Sequence, residues 1–156
     1  MIVAWSGAGK TTFIEGLIPE LRKFNLRVAV IKHDSHDFEI DKEGKDTYRF
    51  TKSGADVVII SSKTHAAIME NRYLTLEKIL VSIHDVDLII IEGFKNESKN
   101  FRRIGLTRAD YELPEGNYHA IISDKIFKCD VPVFDINNYY GFAEWIINDI
   151  QLLKKS

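Results

Sequence analysis

The stretch from residue 2 to residue 12, IVAWSGAGKTT, decides the fold of this chain. A short apolar strand precedes a glycine-rich turn and an amphipathic helix follows it, which is the setting of the GxxxxGK[ST] phosphate-binding loop. In such a loop the glycines let backbone N–H groups turn towards a phosphate, Lys10 contacts the outer phosphates, and the Thr11 hydroxyl contributes to a Mg²⁺ site. The alternative is a chance glycine-rich turn. The predicted nucleotide-binding residues of the loop are Gly7, Ala8, Gly9, Lys10, Thr11 and Thr12.

Short runs rich in Val and Ile alternate with amphipathic stretches along the rest of the chain. The runs are mostly continuous in their apolar character, which is typical of parallel strands buried on both faces. Helices are predicted over residues 11–24, 76–83 and 139–153. The pattern therefore predicts an α/β fold of three layers, with a mostly parallel central sheet flanked by helices. The predicted strands are residues 2–5, 27–32, 56–61, 88–91, 119–123 and 131–134.

Local signals mark the ends and bends of these helices. Pro19 lies inside the first helix and predicts a kink, because proline lacks a backbone donor and crowds the preceding turn. Asn25 is expected to adopt a left-handed conformation that ends this helix. Thr75 is a predicted N-cap of the second helix, and Asn137 or Asn138 of the last.

The length of 156 residues predicts a single P-loop NTP-binding domain over residues 1–156. A hydrophobic content of 45% with 28% charged residues excludes long disorder. The net charge of -2 provides no overall attraction to nucleic acid or to an anionic membrane. The single Cys129 cannot form an intrachain disulfide, and neither a signal peptide nor a membrane span is apparent. We therefore expect a cytoplasmic protein that binds neither nucleic acid nor a membrane.

A second site element is DLIIIEG, residues 87–93, an apolar strand that ends in a carboxylate. Ligands of open α/β sheets bind at the carboxyl edge of the strands, so Glu92 is predicted to be the acid of a Walker B type. There it can contribute to the Mg²⁺ site or orient the attacking water, and Gly93 lets the backbone turn close to the γ-phosphate. The alternative is a solvated acid at the end of a strand.

The polar stretch KHDSHDFEIDKEGKD, residues 32–46, follows the second predicted strand. We expect Asp41 or Asp46 to position water or Mg²⁺ and Lys32 or Lys45 to contact phosphate. A transition-metal site is disfavoured, because the spacing fits no compact zinc pattern and this stretch contains no cysteine to anchor one. A solvated polar loop is the alternative for each residue. The candidate catalytic residues of the chain are Lys10, Glu92, Asp41 and Asp46.

Five motifs follow one another in a characteristic order: SGAGKTT (6–12), VIKHDSHDFEIDKEGKDT (30–47), SGADVVIISS (53–62), DLIIIEGFK (87–95) and VPVFDIN (131–137). With them the sequence resembles the molybdopterin-guanine dinucleotide biosynthesis protein B (MobB) family over nearly its whole length. The resemblance implies a SIMIBI-class P-loop NTPase that binds GTP and, as a slow Mg²⁺-dependent GTPase, hydrolyses it weakly. It also implies a homodimer that acts as an adaptor beside the guanylyltransferase MobA, in the attachment of GMP to molybdopterin. Molybdopterin is itself a candidate ligand.

The resemblance also assigns residues to sites. The family's nucleotide loop falls on Gly7, Gly9, Lys10, Thr11 and Thr12, its switch segment on Asp41, Lys45 and Asp46, and its EGFK motif on Glu92, Gly93 and Lys95. The chain departs from the family in having Ala4 for the usual first glycine of the loop. It also has Arg102-Arg103-Ile104 where the family more often has a proline-lysine-isoleucine turn.

Other interpretations concern residues beyond the Walker B strand. The cations Lys95, Lys99, Arg102, Arg103 and Arg108 are expected either to converge on a second anionic group or to form a solvated basic loop. Residues 107–110, TRAD, faintly echo a guanine-binding TKxD motif. One alternative function is a small P-loop kinase that phosphorylates a metabolite, with residues 102–108 as a lid. Another is a binding module with Phe94, Phe101 and Tyr111 as exposed anchors.

Overall fold

A computed structural model describes residues 1–34, 38–94, 101–108 and 110–153, without the side chains of residues 151–153. The chain forms two compact units, one of Met1–His33 with Ile83–Ser156 and one of Asp34–Ser82. In chain order the elements are β1 (Ile2–Val3), α1 (Lys10–Lys23), β2 (Val28–Lys32), α2 (Asp46–Lys52), β3 (Val57–Ser61), β4 (Ala66–Glu70), α3 (Leu76–Ser82), β5 (Leu88–Glu92), β6 (Ile104–Thr107), β7 (Ala120–Ser123), β8 (Val133–Asp135) and α4 (Tyr139–Leu153).

The first unit contains a six-stranded sheet in the order β2-β5-β1-β6-β7-β8, and all its neighbouring strands are parallel. Ile2 of the short β1 pairs with Glu92 on one side and with Ile104 on the other. Because the strands are parallel, the segments that follow β1, β5 and β6 leave the sheet at the same edge. The expected α/β class with a mostly parallel sheet is confirmed.

The core of the first unit is built around aromatic side chains of α1, α4 and β8. The ring centroid of Phe142, which is 1% exposed, lies 5.6 Å from that of Phe13 and 5.2 Å from that of Phe134. Its ring also stacks on Trp145 at 5.5 Å. Such rings bury large apolar areas, so they hold α1 and the glycine-rich loop at its start against the sheet.

The second unit contains α2, α3 and an antiparallel hairpin of β3 and β4, in which Ile59 pairs with Ile68. The predicted strand over 56–61 is therefore correct as an element, but its expected place in the parallel sheet is wrong. The reason is the tight turn after it, where the Ser62 amide donates to the His65 carbonyl at 2.7 Å. A turn of this length returns the chain antiparallel, whereas a parallel neighbour needs a long crossover.

Several local predictions are confirmed. Asn25 has the expected left-handed backbone, with φ 60° at the end of α1. α1 continues through Pro19 to Lys23, and the kink expected at Pro19 stays a prediction. The Thr75 hydroxyl accepts from the Lys78 amide at 3.4 Å, and the Asn138 side chain accepts from the Gly141 amide at 3.0 Å, so that Asn138 caps α4. The sequence analysis missed α2, β4 and β6. Within the described ranges, no helix combines the length and apolar character that crossing a bilayer requires.

Candidate functional site

The turn between β1 and α1 forms a loop whose glycines have left-handed backbones. Gly7 has φ 78° and Gly9 has φ 96°, a region that side chains with a Cβ rarely adopt. Gly9 is the N-cap of α1 and offers no side-chain cap, so the first amides of the helix are left for another acceptor. Ala8, between these two glycines, is fully buried. The turn thus combines bare helix amides with the positive end of a helix dipole, which suits an anion.

The ammonium of Lys10 lies within the loop. Its Nζ donates to the carbonyl of Trp5 at 3.0 Å and contacts that of Ala4 at 3.3 Å. Ala4 is 1% exposed and is not among the described residues with positive φ. The departure from glycine at this position is tolerated for that reason.

Glu92 is the last residue of β5, and its side chain is half-buried at the carboxyl edge of the sheet. Its carbonyl accepts from the amide of His33 at 2.8 Å. A Cβ on Gly93, which has φ 97°, would lie 2.7 Å from the His33 carbonyl oxygen. Phe94 is 7% exposed and stacks on His33 at 4.2 Å, so it is not the exposed anchor that was expected. These contacts fix the backbone turn that follows Glu92.

The segment that leaves β6 lies against the phosphate loop. A Cβ on Gly9 would lie 2.9 Å from Nη2 of Arg108, and a Cβ on Gly7 would lie 3.0 Å from the Tyr111 hydroxyl. The hydroxyl of Thr107, a fully buried residue, donates to the Tyr111 carbonyl at 2.6 Å. The sequence analysis did not find this use of Tyr111, because it had not recognised β6.

Two alternatives were left open for the cations beyond β5, and convergence on one anionic group does not fit Arg102 and Arg103. Arg102 forms an ion pair with Asp149 of α4 at 3.0 Å. Arg103 donates to the carbonyl of Glu115 at 3.1 Å and lies over the Tyr118 ring. Burial raises the pKa of the Tyr118 hydroxyl, and the nearby guanidinium opposes that rise. Arg108 lies instead at the phosphate loop, and the remaining two members, Lys95 and Lys99, fall outside the described residues.

Asp41 and Asp46, the acids of the polar stretch, belong to the second unit. One Asp41 carboxylate oxygen accepts from the Lys42 amide at 2.9 Å and from the Thr47 hydroxyl at 3.1 Å, which supports the start of α2. Asp46 is the first residue of α2 and pairs with Arg49 at 3.7 Å. Their roles at a nucleotide stay a prediction. In the described ranges no three or more His, Cys, Asp or Glu side chains are grouped for a metal ion.

A cavity of about 280 Å³ lies at the ends of β7 and β8. Ser123, Asp124, Lys125 and Asp135 line it, together with apolar side chains. The Ser123 hydroxyl accepts from the Lys125 amide at 2.9 Å, and the Lys125 ammonium donates to the Tyr111 carbonyl at 3.3 Å. The predicted strand over 119–123 already ended in these polar residues, so the edge rule applied to Glu92 would have found them.

Comparisons with known proteins bear on the whole chain. Residues 1–124 match the sequence profile of the family described as molybdopterin guanine dinucleotide synthesis protein B. The chain is 36% identical over 159 residues to the molybdopterin-guanine dinucleotide biosynthesis adapter protein of Escherichia coli K12, covering 95% of this chain and 90% of the relative. It is also 36% identical over 155 residues to the adapter protein of Haemophilus influenzae, covering 94% and 86%.

Solved structures give the same result. A crystal structure of a molybdopterin-guanine biosynthesis protein B is 29% identical, with a TM-score of 0.73 and coverage of 96% of this chain and 97% of that one. The crystal structure of Bacillus subtilis MobB, at 24% identity, a TM-score of 0.74 and 94% of each chain, shows the shared fold. The expected three-layer α/β class of P-loop NTPases is thereby confirmed.

Proposed function

The chain belongs to the molybdopterin guanine dinucleotide synthesis protein B family, and from that premise we propose that it is a GTP-binding adapter protein in molybdopterin-guanine dinucleotide biosynthesis. The observation that carries nucleotide binding is the turn from Gly7 to Lys10. Two left-handed glycines, an N-terminus of α1 without a side-chain cap and an ammonium group come together there. Such a constellation binds the phosphates of a nucleotide.

The side chains available for Mg²⁺ support this assignment. The Thr11 hydroxyl, in the first turn of α1, and the Glu92 carboxylate, at the end of β5, are hard oxygen donors of the kind that Mg²⁺ takes. A bound Mg²⁺ neutralises phosphate charge. Glu92 would also hold the attacking water by accepting a hydrogen bond from it, while Lys10 binds the outer phosphates. Asp41 and Asp46 remain the second pair of candidate catalytic acids.

Hydrolysis in such an adapter is expected to be slow. Glu92 is half-buried, and its proposed task is to orient the attacking water by accepting a hydrogen bond from it. Slow turnover suits a protein whose bound nucleotide sets the timing of an interaction. Gly93 has no side chain, so the backbone can turn close to the γ-phosphate. Lys95 is a further nucleotide contact that the family resemblance implies.

The guanine base is assigned to the edge formed by β7 and β8. Asp124 is exposed beside the cavity of about 280 Å³, on the same carboxyl edge as Glu92. A carboxylate accepts the ring N–H and the amino group of guanine, and adenine lacks that pair of donors. The Thr107 hydroxyl is occupied with the Tyr111 carbonyl, so residues 107–110 are the weaker candidate for base recognition.

Partners are inferred from the second unit. Large apolar side chains of the hairpin are exposed, including Ile59 at 64% and Ile68 at 66%, which face each other across the two strands. Exposed apolar patches of this kind mark protein interfaces. We assign this face to a homodimer contact, and MobA and molybdopterin are the proposed partner and ligand of the adapter. A cytoplasmic location, suggested by the lone Cys129, belongs to the same proposal.

Calorimetric titration with GTP and ATP, with and without Mg²⁺, tests the nucleotide assignment. We expect GTP to bind more tightly than ATP, and Lys10→Ala to weaken binding by about 100-fold or more, because it removes a charge-assisted contact to phosphate. Lys23→Ala is the matched control, since Lys23 lies at the other end of α1 and pairs with Glu20. Absence of binding by the unmodified protein at millimolar nucleotide would refute the proposal.

One observation favours the alternative of a small metabolite kinase. The guanidinium of Arg108 lies beside Gly9, where kinases need a cation during phosphoryl transfer. Against it, the other arginines of the expected lid have partners elsewhere, Arg102 with Asp149 and Arg103 with Glu115. A metabolite screen that yields a phosphorylated product would favour the kinase over the adapter.

A further inference from the structure

Arg108 follows β6 and places its guanidinium against the start of α1. Atoms Nη2, Cζ and Nε lie 2.9, 3.0 and 3.0 Å from the position that a Cβ on Gly9 would occupy. We propose that Arg108 is a phosphate-binding residue that covers the phosphate loop from the side of β6 and contacts the outer phosphates of the nucleotide. The inference rests on the proposed nucleotide binding and adds a residue and a specificity to it.

The backbone that carries Arg108 is held by contacts on both sides. Thr107 is fully buried, and its hydroxyl donates to the carbonyl of Tyr111 at 2.6 Å. The Tyr111 amide donates to the Arg108 carbonyl at 2.9 Å, which closes a tight turn. Lys125, after β7, donates to the Tyr111 carbonyl at 3.3 Å. This turn presents Arg108 to Gly9 and the Tyr111 hydroxyl to Gly7, so both left-handed glycines have a side chain of the same segment above them.

The positive charge of Arg108 beside the N-terminus of α1 favours a bound anion. Arg108 lies at Gly9, the N-cap of α1, so its charge adds to the positive end of the helix dipole, and like charges brought together are unfavourable without a counter-ion. Within the described ranges, no hydrogen bond or ion pair to the Arg108 guanidinium is found. The other arginines each have a carboxylate or carbonyl partner: Arg22 with Leu26, Arg27 with Asp87, Arg49 with Asp46, Arg72 with Glu70, Arg102 with Asp149 and Arg103 with Glu115.

The planar shape of the guanidinium group indicates which phosphates Arg108 binds. A guanidinium is a planar fork that binds two oxygens of one phosphate or bridges two phosphates, whereas a lysine ammonium acts as a point charge. The first amides of α1 and Lys10 suffice for one phosphate group. A further cation above Gly9 therefore favours a chain of phosphates over a single one. Affinity should depend on Arg108 more strongly as the number of phosphates rises.

The test is calorimetric titration of GMP, GDP and GTP, with Mg²⁺, into the unmodified chain and three variants. Arg108→Ala is expected to weaken GTP binding by about 10- to 100-fold, the range for lost hydrogen bonds to a charged group, and GMP binding by less than about threefold. Arg108→Lys should recover part of the GTP affinity, because it keeps the charge and loses the fork. Arg22→Ala is the control, since Arg22 is exposed and its guanidinium donates to the Leu26 carbonyl.

Each outcome separates the inference from the proposed function. If the unmodified chain binds GTP and Arg108→Ala binds it equally well, Arg108 has only a packing role beside Gly9 and the inference is overturned. An equal loss for GMP and GTP would also overturn it, because the contact would then not involve the outer phosphates. If the unmodified chain binds none of the three nucleotides, the proposed function and the inference fall together. Unchanged thermal unfolding of the variants establishes that the fold is intact.

Discussion

Two strands of similar composition behave differently in this molecule. In β7, Ala120–Ser123, every residue is buried, whereas in β3, Val57–Ser61, only Val58 is buried. The sequence predicts both as short apolar strands of one mostly parallel sheet. β7 lies between β6 and β8, while β3 has β4 as its neighbour in a two-stranded sheet. An apolar run therefore specifies a strand, and its burial depends on what the rest of the chain places around it.

The same contrast separates the two units. The first unit has a core in which the aromatic rings of α1, α4 and β8 are in contact, and this core holds the phosphate loop at the start of α1. The second unit leaves isoleucines of its hairpin exposed on both strands. A two-stranded hairpin has little stability by itself. Burial of its exposed apolar side chains against a partner protein would therefore stabilise it.

The largest expected effect concerns the stability of the first unit. Phe142→Ala should lower the free energy of unfolding by about 3–5 kcal/mol, because it leaves a cavity among buried rings. Ile59→Ala in the hairpin should change it by less than about 0.5 kcal/mol when the protein is dilute enough to be monomeric. Denaturant unfolding followed by circular dichroism measures both. Similar losses for the two variants would remove the contrast between the units.

A smaller effect is expected at the edge of the parallel sheet. Glu92→Gln should lower the rate of GTP hydrolysis by about 100-fold, since the amide no longer offers a charged acceptor to the attacking water. Its affinity for GTP should change by less than about threefold. A single-turnover assay with labelled GTP, paired with calorimetry, separates the two quantities. Unchanged hydrolysis would show that the water-orienting role does not belong to Glu92.

The smallest effect concerns association through the hairpin. Ile59→Lys should raise the dimer dissociation constant by about tenfold or more, because it brings a charge, and its copy on a symmetric partner, into an apolar contact. Analytical ultracentrifugation over a range of concentrations measures this constant. Val81→Lys, on α3, is the control, since Val81 is equally apolar and 75% exposed. Equal dissociation by both variants, or a monomer throughout, would show that the hairpin face is not the contact.

Local patterns predicted the parts of this molecule that depend on near neighbours in sequence. The phosphate loop, the strand ending in Glu92 and the stop at Asn25 each rest on a few consecutive residues. The sequence analysis missed β6 because this strand has only four residues, IGLT, and lies between charged stretches. It missed β4 because AAIME contains alanine, methionine and glutamate, which are weak strand formers.

The candidate site divides in the same way. Lys10 and Gly9 could be assigned from spacing, because the loop that they form closes over a few residues. The contact of Arg108 with Gly9 joins positions almost a hundred residues apart, and only the pairing of β6 beside β1 brings them together. Arg102 and Arg103 have separate partners, Asp149 of α4 and the Glu115 carbonyl, which no short-range pattern in the sequence indicates.

By itself the sequence determined an α/β chain with a glycine-rich loop at the start of its first helix and an acid at the end of a later strand. These features are encoded in short-range periodicity and in backbone preferences of single residues. Only the tertiary structure decided which strands lie side by side, which apolar faces are covered and which arginine reaches the loop. Strand order and packing bring distant residues together, and such contacts leave no periodic signal in one sequence.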